Sequence, residues 1–194
     1  MHGTDVVGML LKGSFAMLEE RLEAVRDDEW SARVLPDSNK PGFVLWHCAR
    51  IIDWTVSSAI RGVPEVADAA PWKDRFPRYA GAGFGIPLAA ADAVTDATSA
   101  HDVAAYVAEV KASALEWFAT QTDASLDTVP PMKANQERHP LYLEPDAWAD
   151  IADLDGRPAW QLVVRPAGVH IRRHMGEYDL MVELLRRGAA TPRA

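Results

Sequence analysis

The sequence predicts an all-α protein, a four-helix bundle with two long, partly ordered crossover loops. Three observations predict this class. Four stretches repeat apolar residues at helical spacing, no stretch shows a convincing strand pattern, and proline, glycine and aromatic residues concentrate in two long connections. A chain of 194 residues is large enough for one hydrophobic core. We therefore expect residues 1–194 to form a single domain.

The first two predicted helices occupy the N-terminal third of the chain. The first spans about residues 4–26, and its inward stripe consists of Val7, Leu11, Ser14, Leu18, Leu22 and Val25. The second spans about residues 41–61, because Pro41 suits a first helical turn and Gly62 suits the residue that follows the last turn.

The other two helices lie in the second half of the chain. The third spans about residues 102–121, and its stripe consists of Val103, Val107, Val110, Ala114, Trp117 and Gln121. The fourth extends to about residue 187, with Gly188 as its stop. Pro166 should kink this helix or begin a new segment, because proline donates no backbone hydrogen bond. The preceding segment WQLVV, residues 160–164, fits a strand or a helix.

The two long connections cover residues 62–100 and 122–157. Each mixes proline, glycine and aromatic residues, which predicts ordered loops with short helical turns rather than linkers. The segment GAGFG, residues 81–85, lacks the lysine of a phosphate-binding loop and follows no predicted strand. We interpret it as a flexible segment over the open end of the bundle.

Composition excludes several classes of protein. The formal charge is −8, from 28 acidic and 20 basic residues without a basic block, which argues against a nucleic-acid partner. The chain lacks an apolar run long enough to span a membrane and a signal-peptide start, so we expect no membrane partner and a cytoplasmic location. Cys48 is the single cysteine, which excludes an internal disulfide, and we expect it to be a small buried hydrophobic residue.

Three histidines stand where a bundle would place apolar residues. His170 and His174 are four residues apart, so they share one face of the fourth helix. His47 lies on the inward stripe of the second helix. Buried imidazoles need partners. A divalent metal would supply one, with Zn²⁺ expected first and Ni²⁺ or Fe²⁺ as alternatives. The other interpretation is a set of core histidines hydrogen-bonded to backbone or carboxylate groups.

Other polar residues surround these histidines in the sequence. Glu177 lies three residues after His174 and is the one candidate catalytic residue, with three open roles: fourth metal ligand, acceptor that orients an imidazole, or general base. Arg50 and Asp53 follow His47 at the edge of its stripe, and we expect a structural salt bridge between them or to a neighbouring helix.

The segments PGFVLWHCARIIDW (41–54) and HIRRHMGEYDLMVELL (170–185) resemble the DinB-like superfamily. This superfamily includes the mycothiol-dependent maleylpyruvate isomerase N-terminal domain and the bacillithiol transferases. The resemblance extends over nearly the whole chain and implies a bundle whose metal is held by His47, His170 and His174. Characterised relatives use the metal to bind a low-molecular-weight thiol, which they transfer or use in an isomerisation. Relatives are often homodimers, so the resemblance also implies a possible homodimer.

Three functions compete for this pattern. The first is a transferase that uses a metal-activated low-molecular-weight thiol on a small-molecule substrate. Arginine outnumbers lysine among the 20 basic residues, which is typical of GC-rich genomes and favours mycothiol as the thiol. The second is a metal-dependent hydrolase in which Glu177 relays a proton. The third is a non-catalytic, stress-response type of bundle in which metal only stabilises the fold, and it predicts no substrate-sized cavity at the histidines.

Overall fold

Four long helices form the predicted bundle in the computed structural model, which describes residues 2–188; Met1 and residues 189–194 of the predicted domain lie outside this range. The first bundle helix is Gly3–Ala24 and the third is Ala100–Phe118. The second and fourth are each interrupted by a π-helical segment. Their parts are Pro41–Asp53 with Trp54–Arg61, and Ala159–Val164 with Arg165–His170 and Ile171–Arg186. The all-α prediction is confirmed.

The second bundle helix lies at the centre of the fold. Every residue of Pro41–Asp53 is buried, and this segment contacts the other three bundle helices. Pro41 occupies its first turn, and the helix ends before Gly62, whose φ of 62° is a left-handed conformation that favours glycine. Both predicted ends of this helix are therefore confirmed.

The fourth bundle helix passes through its proline without breaking. Pro166 lies in the π segment Arg165–His170, and residues 160–164 are helical. The wider turn leaves carbonyl groups without their usual helical partners. Ser14 Oγ donates to the Ala167 carbonyl at 2.6 Å, and Arg172 Nη1 donates to the Gly168 carbonyl at 3.0 Å. The predicted disturbance at the proline is therefore a π turn. Two of its carbonyls accept hydrogen bonds, one from the first bundle helix and one from the next turn of the fourth.

The connections are built from short helices, as predicted, and one of these helices is longer than expected. Leu88–Ala97 is a ten-residue α-helix that packs on the second bundle helix through Ala91, Val94 and Thr95. No residue from 2 to 188 lies in a β-strand, and no helix in that range is both long and apolar enough to cross a bilayer. The remaining short elements are Asp27–Trp30, Val66–Asp68, Trp72–Arg75, Arg78–Ala80, Asp123–Leu126, Met132–Asn135, Gln136–Arg138, Pro140–Leu143, Pro145–Ile151 and Ala152–Leu154.

Candidate metal centre

The three predicted histidines converge on one point between the second and fourth bundle helices. The ring centroids of His47 and His174 are 5.0 Å apart, those of His47 and His170 are 5.5 Å apart, and those of His170 and His174 are 4.4 Å apart. One nitrogen from each ring lies within 4.8 Å of the others. This is the arrangement that could hold a metal ion.

The fourth helix presents its two histidines from the end of the π segment. His170 is the last residue of Arg165–His170, and His174 follows one α-helical turn later. A π turn contains one residue more than an α turn, so it changes which side of the helix the following residues occupy. The disturbance at Pro166 therefore sets the direction in which His170 and His174 face the second helix.

A backbone carbonyl determines the protonation of His47. Its Nδ1 lies 2.6 Å from the Ala82 carbonyl oxygen, which can only accept a hydrogen bond. Nδ1 must therefore carry the proton, which leaves the lone pair on Nε2. That Nε2 faces Nε2 of His170 at 3.3 Å, and the ring of Phe43 stacks on the imidazole at 5.6 Å between centroids.

The segment 81–85, which we call the strap, supplies this carbonyl. Its three glycines, Gly81, Gly83 and Gly85, all have positive φ values, and a Cβ on Gly83 would lie 2.6 Å from His47 Nδ1. Arg50 Nε donates to the Gly81 carbonyl at 3.1 Å, and the Gly85 N–H donates to Asp150 at 2.9 Å. The strap lies against the histidines, and hydrogen bonds hold both of its ends, whereas we expected a flexible segment.

Glu177 contacts the Nδ1 side of a second candidate ligand, His174. Its carboxylate accepts a hydrogen bond from His174 Nδ1 at 2.8 Å. The hydrogen bond directs the His174 lone pair to Nε2, away from the carboxylate. Of the three roles left open by the sequence, this geometry matches the acceptor that orients an imidazole.

Burial keeps two of the imidazoles uncharged. Desolvation, together with the neighbouring His174 and His170, lowers the pKa of His47 to about 3. Desolvation and His174 lower the pKa of His170 to about 4. Since metals bind neutral imidazole, both groups are in the binding form at neutral pH.

The spacing of two nitrogens fits a tetrahedral metal. Two imidazole nitrogens at roughly 2.05 Å from a tetrahedral zinc ion are about 3.3 Å apart. The observed separation of His47 Nε2 and His170 Nε2 is 3.3 Å. The donor set, the tautomers of His47 and His174, and this spacing all suit a divalent ion that keeps one position open.

The open side of the three histidines faces a cavity of about 650 Å³. This volume lies in the range of small-molecule sites. Its apolar wall includes Phe43, Ile51, Trp54, Phe84, Ile151 and Leu154. The strap and the helix Leu88–Ala97 also contribute residues to the lining. A small organic molecule fits in front of the three nitrogens.

A buried cluster of charged residues contacts the strap through Arg50. The predicted salt bridge is confirmed: Arg50 Nη1 lies 3.1 Å from Asp53. Arg50 also contacts Glu65 at 2.5 Å, a partner that sequence reasoning missed because Glu65 belongs to a connection. Tyr106 and Tyr142 donate to these two carboxylates. Burial and the proximity of Glu65 raise the pKa of Asp53.

Cys48 takes no part in the centre. It is fully buried, as predicted, and burial raises the pKa of its thiol well above its usual value. A thiol held protonated in the core is a packing group and a poor nucleophile.

The fold and the centre define a class of protein, an all-α four-helix bundle with a three-histidine group that could hold a metal. The chain belongs to the DinB superfamily, whose family model matches residues 10–154. This segment contains His47 and ends before His170 and His174, so the geometry adds two of the three candidate ligands. No curated protein matches the chain.

Proposed function

We propose that this protein is a metal-dependent transferase that uses a low-molecular-weight thiol of the mycothiol type, with Zn²⁺ held by His47, His170 and His174. The observation that carries the proposal is the cavity of about 650 Å³ in front of three imidazole nitrogens. A non-catalytic bundle predicts no such cavity. The proposal includes a cytoplasmic location, where small thiols stay reduced.

The metal, when bound, would deprotonate a coordinated thiol and so supply a thiolate at neutral pH. The protein's own residues prepare the site for this chemistry. The Ala82 carbonyl orients His47, and Glu177 orients His174. The apolar part of the cavity wall favours an organic substrate. Transfer to an alkyl halide forms a carbon–sulfur bond and releases halide.

The hydrolase alternative assigns Glu177 as a proton relay. In the structure, this carboxylate accepts a hydrogen bond from His174 Nδ1, so it lies on the side of the ring away from the Nε2 that would bind the metal. Glu177→Gln separates the two roles, because the amide oxygen can still accept that hydrogen bond but cannot take up a proton. Metal affinity within about threefold of wild type, with turnover retained, is expected for an orienting role.

Metal content tests the centre itself. Elemental analysis of untagged wild-type protein should show about one divalent metal per chain, with much less in His47→Ala and His174→Ala. His101→Ala is the matched control, since His101 is exposed on the third bundle helix. Wild-type protein that holds no metal and cannot be loaded would refute the proposal.

Thiol dependence tests the reaction. Metal-loaded protein should accelerate the consumption of an alkyl halide only when mycothiol or a simple thiol is present, and His170→Ala should lose this acceleration. Turnover that proceeds equally well without thiol would refute the transferase and favour the hydrolase.

A further inference from the structure

One charged side chain on the cavity wall has no hydrogen-bond or ion-pair partner among the groups that the structure describes. Arg165, also on the wall, forms an ion pair with Asp153. Asp150 accepts a hydrogen bond from the strap. Arg173 lines the same cavity, is exposed, and makes no hydrogen bond or ion pair within the described part of the chain. Arg173 is therefore the cation on this wall that has no anionic partner among the described residues.

The cavity combines this charge with an apolar interior. Arg173 precedes His174 in the chain, so Arg173 and two of the three candidate ligands, His170 and His174, belong to one turn of the fourth bundle helix. Phe43, Trp54 and Leu154 line the same cavity. A ligand that contacts all three regions has a metal-binding end, an apolar body and an anionic group.

We propose that, among low-molecular-weight thiols, the cavity selects one that carries an apolar body and a single carboxylate over the uncharged, polyhydroxylated mycothiol, and that Arg173 recognises the carboxylate. A guanidinium matches a planar carboxylate through two parallel hydrogen bonds. One unpaired cation balances one negative charge, which favours a carboxylate over a doubly charged phosphate. The inference rests on the proposed function, because the histidines would hold the metal that binds the sulfur. Arg173 is a specificity-determining residue under this proposal.

A pair of matched thiols tests the proposal. The probes are 6-mercaptohexanoate and 6-mercaptohexanol, which differ in the carboxylate alone. Binding is measured on Co²⁺-loaded protein by the absorption that appears when a thiolate coordinates cobalt. The proteins are wild type, Arg173→Gln and Arg187→Gln. Arg187 is on the same helix and pairs with Glu183 away from the cavity, so its loss removes the same charge elsewhere.

The expected result is a preference that depends on Arg173. Wild type and Arg187→Gln should bind the acid about five- to tenfold more tightly than the alcohol, which is the scale of a partly exposed charged hydrogen bond. Arg173→Gln should bring this ratio close to one and leave the affinity for the alcohol unchanged.

Two other results overturn the inference, and they are distinguishable. An acid-to-alcohol ratio that is the same in wild type and Arg173→Gln removes Arg173 from recognition while leaving the thiol function in place. Absence of thiolate absorption with both probes in a protein that has bound Co²⁺ refutes the thiol function and the inference together.

Discussion

Gly83→Ala is expected to damage the metal centre without removing a ligand. Gly83 has a φ of 91°, which costs a residue with a Cβ about 1–3 kcal/mol. The new Cβ would lie 2.6 Å from His47 Nδ1, so the imidazole or the strap must move. Movement disrupts the hydrogen bond to the Ala82 carbonyl, which contributes about 1 kcal/mol more. The free energy of unfolding should therefore fall by about 2–4 kcal/mol.

Gly156→Ala is the matched control. Gly156 also has a positive φ, 77°, but nothing lies within 4 Å of the position its Cβ would take. This variant carries the backbone strain without the collision. It should lose about 1–2 kcal/mol of stability and bind metal as wild type does.

The assay has two parts. Urea unfolding of the metal-free proteins gives the stability differences, and competition with a chelator gives the Zn²⁺ affinity. Loss of the group that orients a histidine ligand typically lowers metal affinity about 10- to 100-fold, and we expect this loss for Gly83→Ala alone. Equal Zn²⁺ affinity in both variants would refute the argument that the strap orients His47.

Three further predictions concern the surroundings of the centre. His47 should contribute a fall of about 2 kcal/mol in the stability of the metal-free protein from pH 7 to pH 5, because the unfolded group takes up a proton near pH 6.5 and the folded group, with a pKa of about 3, does not. Urea titrations should show this slope reduced in His47→Gln, and an unchanged slope would contradict it. Arg50→Met should lower the free energy of unfolding by about 3–5 kcal/mol in the same assay, because it leaves two buried carboxylates without their cation. A decrease below about 1 kcal/mol would contradict this prediction. Ser14→Ala should lower the free energy of unfolding by about 1–3 kcal/mol, because the Ala167 carbonyl loses its buried hydrogen-bond donor. Ser113→Ala is the control and should leave stability nearly unchanged. Similar thermal midpoints for the two variants would oppose this reasoning.

The predictable part of the fold is the part whose signal lies within one helix. The bundle helices carry large apolar residues at 3.6-residue spacing, and the same periodicity exposes the histidines as exceptions. Leu88–Ala97 escaped this reasoning because its buried face consists of Ala91, Val94 and Thr95, which give little hydrophobic contrast. Its alanine content was the available signal, since alanine has the highest helix propensity.

The contacts that complete the centre lack such a signal. Ala82 orients His47 through its backbone carbonyl, so any residue type at that position offers the same group. Glu65 comes from a connection and joins Arg50 across 15 residues of sequence. Periodicity within a helix contains no information about which loop carbonyl or carboxylate will pack against it. The spacing of glycines in the strap was the one visible indication of close backbone approach.

The second bundle helix links the strap to the metal ligands more directly than the fourth does. His47 and Arg50 are one turn apart, and they bind the carbonyls of Ala82 and Gly81, which are adjacent in the strap. His47 is a candidate ligand, and Arg50 is held by two buried carboxylates. A shift of the strap must therefore either stretch both hydrogen bonds or move His47 relative to His170. Coupling of this kind makes the strap part of the candidate metal centre, although none of its side chains is a candidate ligand.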